Sequence, residues 1–158
     1  MATQADKQVT VTRDIAASPE QLWSMVSDIT RMGEWSPENV GGEWLGDATA
    51  PTMGAKFRGS NERGKKKWKT EATVTEADAG RVFAFAVSAG PVDVAEWRYT
   101  FEPTAAGCHV TETWIDKRGA IPKVLGKFIS GVGDRATHNR EGMETTLERL
   151  AAVAEATT

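Results

Sequence analysis

A chain of 158 residues with a net charge of −3 fits one domain of ordinary size, and its sequence pI near 5.5 leaves no basic surface for a general nucleic-acid binder. A single cysteine, Cys108, excludes an intrachain disulfide and a Cys-based zinc cluster and fits a reducing cytoplasm. Aliphatic residues are scarce, but at so small a net charge disorder does not follow, and six Trp together with many Ala supply the missing apolar surface.

Met1 to Lys7 lacks the basic start and apolar run of a secretory signal, and no apolar run is long enough to span a membrane. Residues 8–15 alternate apolar and polar side chains and are rich in Val and Thr, which predicts a half-buried strand. Ser18-Pro19-Glu20-Gln21 follows as an N-cap, a proline at the first helical position and a Gln placed to close a capping box. The helix continues through Leu22, Met25, Val26 and Ile29, and a second cap at Ser27-Asp28-Ile29-Thr30 splits it into two short helices ending near Gly33.

From Val40 to Lys117 the period is two, interrupted by turn residues, and it predicts strands at 40–45, 56–61, 68–76, 82–88, 92–102 and 108–117. The connections are short and there is no strand–helix alternation, so the sheet is antiparallel. Helical spacing returns at Ile121, Val124, Leu125, Phe128, Ile129 and Val132 and again at Met143, Leu147, Leu150 and Val153, with a break or kink at Gly131 and Gly133. The expected fold is α+β: a curved seven-stranded antiparallel sheet around a long C-terminal helix, with two short helices after the first strand.

Alternation places Trp97, Tyr99 and Phe101 on one face of their strand and Glu96, Arg98 and Thr100 on the other. The aromatic face is the concave one, and Trp68, Thr70, Ala72 and Val74 share it, as do Phe83 and Phe85, and Ala55, Phe57 and Gly59. Small residues among rings leave either an aromatic-walled pocket or a core plugged by the helix. Arg135, Asn139 and Met143 form one helical stripe; the two polar members need partners, which a solvated cavity supplies, unless the glycine kink turns Arg135 into solvent.

In the last strand Cys108, Val110 and Trp114 are more apolar than His109, Thr111 and Thr113, a parity that turns Glu112 inward. A carboxyl in an apolar cavity has a raised pKa and can hydrogen-bond a ligand hydroxyl or act as an acid or base; the alternatives are an ion pair with Arg98 or exposure at a bulge. Arg63-Gly64-Lys65-Lys66-Lys67 stands at a hairpin tip, read as a solvated turn or as a docking point for an acidic partner at Lys65, Lys66 and Lys67. Ser60 is a candidate rim residue. Gly131-Val132-Gly133-Asp134-Arg135-Ala136 matches a dinucleotide fingerprint only formally, because it follows a helix and not a strand. His109 and His138 stand far apart, so no metal site and no nucleophilic triad is expected, and no cofactor.

The order of elements, with Ile15-Ala16-Ala17-Ser18-Pro19-Glu20-Gln21-Leu22-Trp23, Trp35-Ser36-Pro37, Gly54-Ala55-Lys56-Phe57, Trp97-Arg98-Tyr99-Thr100-Phe101-Glu102-Pro103, Gly107-Cys108-His109-Val110-Thr111-Glu112 and the segment from Asn139 to Leu150, resembles the SRPBCC superfamily. These are the START and Bet v 1-like helix-grip proteins, and the likeness is greatest to the actinobacterial polyketide cyclase/dehydrase-like group. The resemblance spans about residues 9–152 of one domain whose core lies at about 8–153. It implies a deep apolar cavity between sheet and helix, used in the superfamily for lipids, sterols, polyketides, hormones and aromatic metabolites. Cyclase members of the superfamily fold and dehydrate a carrier-bound poly-β-ketone in that cavity. By position, residues 60–66 and 88–93 would be loops at its mouth.

The resulting expectation is a cytoplasmic protein that binds or carries a hydrophobic small molecule. Its wall would include Phe57, Trp68, Phe83, Phe85, Trp97, Tyr99 and Trp114, with Met143 from the helix. Arg135, Asn139 and Glu112 would orient a polar group. The rival expectation is a cofactor-independent cyclase or dehydratase with Glu112 or Arg135 in proton transfer or enolate stabilisation and an acidic carrier protein at the lysine tip. A homodimer is compatible with either.

Overall fold

The computed structural model describes residues 8–118 and 134–157. Seven strands, β1 Gln8–Ile15, β2 Asn39–Trp44, β3 Lys56–Arg63, β4 Lys66–Asp78, β5 Val82–Ala89, β6 Val92–Thr104 and β7 Gly107–Asp116, form one antiparallel sheet in the order β1-β7-β6-β5-β4-β3-β2. Between β1 and β2 lie helix α1, Pro19–Ser27, and a 3-10 helix, Ile29–Glu34; the chain closes with α2, Arg135–Ala156. This is the helix-grip α+β architecture.

From β3 to β7 pairing continues to the end of each hairpin because the turns are tight, while residues 45–55 join β2 to β3. β3 and β4 pair out to Arg63 and Lys66, with Gly64 at φ +61 supplying the left-handed residue that opens the two-residue turn. Residues 60–66 and 88–93 are therefore mostly strand and turn, not the loops expected there. Irregular register between Val74 and Glu76 and between Val87 and Ser88 bends the sheet, since an unpaired residue kinks its strand and raises its twist.

Ser18 caps α1, its hydroxyl accepting from the Gln21 backbone N–H at 3.1 Å, and Asp28 caps the 3-10 helix by accepting from Thr30. The Gln21 side chain does not close the expected capping box. Its amide donates to the Thr157 hydroxyl at 2.9 Å and to the Ala154 carbonyl, tying α1 to the end of α2.

α2 opens on Asp134, whose carboxylate accepts from the Thr137 N–H and hydroxyl. The helical positions from Ile121 to Val132 and the break at Gly131 and Gly133 lie outside the described residues. The helix then divides along its length. Leu147, Leu150, Ala151 and Ala154 are buried with Val9, Val11 and Ile15 of β1 and Leu22, Val26 and Ile29, forming the solid core. Each fully buried leucine contributes about 1.5–3 kcal/mol relative to exposure. The first half of α2 faces a cavity instead. Among the described residues no helix is long and apolar enough to cross a membrane.

Candidate functional site

Strand register lays the concave face out in rows. Phe57, Ala72, Val87 and Ala95 stand opposite one another across β3 to β6; Val74, Phe85, Trp97 and Trp114 form the next row across β4 to β7; Phe83, Tyr99 and Glu112 form the third. Small residues interrupt the rings at Ala72 and Ala95 in the first row and at Gly59 in a further one, where it faces Thr70. The space they leave is not filled by α2. A cavity of 210 Å³ lies between the sheet and the helix residues Arg135, His138, Asn139, Gly142, Met143 and Thr146.

Of the wall residues expected from sequence, Phe57, Trp68, Phe85, Trp97, Tyr99 and Trp114 line this space, and so do Glu112, Arg135, Asn139 and Met143. Phe83 does not. It is wholly buried and packs at a tilt on Phe85 with ring centroids 5.5 Å apart. At its end of the sheet α1 packs on β5 and β6, anchored by the Trp23 indole N–H donating to the Val82 carbonyl at 2.7 Å, so Phe83 belongs to the core. Ser60 is also off the cavity, since Gly59 and Asn61 on either side of it point inward. The Gly64-Lys65 turn stands apart from the cavity, and Lys67 pairs with Glu62 at 3.5 Å across the hairpin.

The buried end of the cavity is built around Glu112. The parity of β7 turns its side chain inward, with 1% of the residue exposed, and Arg98 pairs instead with Glu76 on the outer face at 2.7 Å. The Tyr99 hydroxyl, directly opposite in register, donates to Glu112 Oε1 at 2.7 Å. Among the described residues Oε2 has no hydrogen-bond partner. A buried polar atom left unpaired costs about 1–3 kcal/mol, so it is an exception that calls for a reason. Burial pushes the Glu112 carboxyl up to about 8, while the Tyr99 hydrogen bond acts in the opposite direction and only partly offsets it. Tyr99 is itself held well above its usual value by burial, by the Glu112 charge and by the hydrogen bond to it. Burial thus favours the neutral form of both groups.

The other end is polar and ion-paired. Glu38, from the turn before β2, accepts from Arg135 Nη1 at 2.8 and 2.9 Å and lies 2.7 Å from His138 Nε2. Arg135 also reaches Asn139 Oδ1 at 3.4 Å and lies over the Trp68 ring, 6.0 Å from its centroid. Asp134 caps the helix, which places Arg135 in the first turn with its side chain directed inward; it is not turned into solvent, and only 13% of the side chain is exposed. Arg118 lines the cavity while bound to Asp116 at 3.0 Å. Asn39 and Asn61 complete this end, joined at 3.5 Å.

Glu38, His138, Arg118, Asn39 and Asn61 were not foreseen from sequence. Glu38 sits in a Ser-Pro-Glu-Asn turn that carries no signal of its own, and its partners lie 97 and 100 residues away. The two histidines do not meet: His109 contacts Asp14 at 2.7 Å on the outer face. Among the described residues no cluster of three His, Cys, Asp or Glu stands ready to hold a metal.

The model of the family described as polyketide cyclase / dehydrase and lipid transport matches residues 6–155. The solution structure of a polyketide-cyclase-like protein from Corynebacterium glutamicum shares 30% identity, covering 95% of this chain and 92% of its own, with a TM-score of 0.58. The di-domain ARO/CYC protein StfQ from the steffimycin biosynthetic pathway superposes with a TM-score of 0.72 at 12% identity; 98% of this chain matches 53% of that one, about half its length. A protein from Mycobacterium smegmatis matches at 0.67 and 16% identity over 100% of this chain and 97% of its own. The last two likenesses concern the fold alone. No curated protein matches the chain.

Proposed function

The chain belongs to the polyketide cyclase/dehydrase and lipid-transport family, and from that premise we propose that it binds, and so carries, a compact hydrophobic molecule with a polar group inside the cavity. The observation that supports this is the cavity itself: an aromatic wall of Phe57, Phe85, Trp97 and Trp114, closed by the first half of α2 and bounded by polar groups at both ends. Enclosed apolar surface supplies affinity, and a few fixed polar groups supply orientation. At 210 Å³ the space is small beside ligand sites of roughly 300–1,000 Å³, which favours a ligand of one or two rings over a sterol. A reducing cytoplasm is the matching location, supported by a lone cysteine that is buried and free.

Trp97→Ala tests the proposal. The ring is partly exposed and lines the cavity, so its loss removes contact area from the ligand more than from the core. Binding of a naphthalene-type probe, followed by quenching of the remaining tryptophans, is expected to weaken at least tenfold, the equivalent of about 1.4 kcal/mol, with the unfolding midpoint little changed. A severe loss of stability with binding retained would make Trp97 a packing residue and count against the cavity as a binding site.

A cyclase or dehydratase acting on a carrier-bound substrate is the second reading. It is favoured by Glu112, an acid whose carboxyl titrates near neutrality beside an open space. The exposed lysines at the β3–β4 tip would meet an acidic carrier. Turnover of a carrier-bound polyketide, absent under the first reading, separates the two.

A further inference from the structure

We propose that the buried end of the cavity receives an uncharged hydrogen-bond acceptor, the carbonyl oxygen of a compact aromatic ketone, on the carboxylic acid of Glu112. This rests on the binding reading above and names the ligand chemistry of that same site.

Three features carry it. Glu112 lines the cavity, and among the described residues its Oε2 is buried without a partner, while the neighbouring Tyr99 hydroxyl is bonded to Glu112 and the Thr146 hydroxyl to the Gly142 carbonyl at 2.8 Å. Tyr99 fixes the polarity of the free oxygen. Because Oε1 accepts the Tyr99 hydrogen bond, the proton of the neutral acid rests on Oε2, which is therefore a donor. The surroundings keep the acid neutral. Among the described residues no ion pair reaches Glu112; Val11, opposite on β1, and Met143 and Thr146, from the helix, carry no charge. Arg135 and Arg118 are held by Glu38 and Asp116. Burial favours the same form. An ionised carboxylate would call for a ligand cation, whereas an unpartnered buried donor calls for an acceptor. Flanking it are Trp114, two residues along β7, and Trp97, opposite Trp114 on β6, both on the cavity wall, and aromatic side chains there suit a flat ring carrying the carbonyl.

The test compares three probes of one size: 2-acetonaphthone, 2-isopropenylnaphthalene, in which a methylene replaces the carbonyl oxygen, and 1-(2-naphthyl)ethylamine, which is cationic. Affinities are measured by tryptophan quenching at pH 6 and pH 9.5 for the wild-type, Glu112→Gln and Glu112→Leu proteins. The wild type is expected to prefer the ketone over the alkene at least tenfold at pH 6 and to lose most of that preference at pH 9.5, once the acid has ionised. Glu112→Gln keeps the preference at both pH values, since its amide still donates, and so controls for titration of Tyr99, Glu38, His138, Arg118 and Arg135 around the cavity. Glu112→Leu abolishes it; if that variant does not fold, the wild-type pH pair and Glu112→Gln still decide. Equal binding of ketone and alkene by the wild type overturns the inference while leaving the cavity a binding site, and preference for the amine at pH 6 overturns it in favour of a carboxylate. Failure of all three probes to bind removes the binding reading and the inference together.

Discussion

At pH 8 the Glu112→Gln protein is expected to be more stable than the wild type by several kcal/mol, and by pH 4 the difference should have closed. The unfolded chain releases the Glu112 proton near 4.5, whereas the folded chain holds it until about 8. Between those values the unfolded state loses the proton and the folded state does not, so wild-type stability falls as pH rises, by about 1.4 kcal/mol per pH unit. The contribution is intact below 4.5 and fully lost above 8, the reverse of a salt-bridged carboxylate. Glutamine removes this linkage, keeps the shape of the side chain and still accepts the Tyr99 hydroxyl. Urea unfolding of both proteins at pH 4, 6 and 8 measures it. Parallel stability curves would mean that Glu112 ionises normally in the fold, which its burial beside a single neutral partner does not allow.

Gly107→Ala is expected to cost about 3 kcal/mol or more. Gly107 opens β7 at φ +154, a conformation L residues rarely adopt, and a Cβ there would collide with the Ile15 carbonyl oxygen and stand 2.8 Å from the Ala17 nitrogen. Both obstacles are backbone atoms. They belong to Ile15, the last residue of β1, and to Ala17 just beyond it; Ile15 pairs with Cys108, so neither strand can yield without opening the β1–β7 ladder that α2 packs against. Gly46→Ala is the control: its φ of +60 is also left-handed, but a Cβ there has open space, and about 1 kcal/mol is expected. Chemical denaturation of the two variants separates dihedral strain from collision. Equal, small losses would mean that the β1–β7 junction is looser than its geometry requires.

The sheet was legible because its signal is local. Two-residue alternation marks Gln8–Ile15 as a strand, assigns Trp97 and Tyr99 to the face opposite Arg98, and, through the apolar Cys108, Val110 and Trp114, turns Glu112 inward. The stripe of Arg135, Asn139 and Met143 was equally readable from helical spacing. What escaped depends on register and on contacts between distant segments. Phe83 has the same parity as Phe85, yet one row along the sheet α1 packs in and makes it core. Gln21 has a capping-box position, but the end of α2 offers its amide better partners. Glu38 gains its role only when the turn before β2 is brought against the first turn of α2, and no pattern within either segment announces the other. The buried end of the site was thus readable strand by strand, and the polar end was not.

Entry of ligand into the cavity between sheet and helix is read out by the tryptophan indole N–H resonances. Four of the six tryptophans, Trp35, Trp68, Trp97 and Trp114, line the cavity; Trp23, bonded to the Val82 carbonyl, and Trp44 do not. Titration with 2-acetonaphthone, followed by nitrogen-15 correlation spectra, is expected to shift the four saturably and in step while Trp23 and Trp44 stay in place. No saturable shift, or shifts confined to Trp23 and Trp44, would rule out binding between sheet and helix.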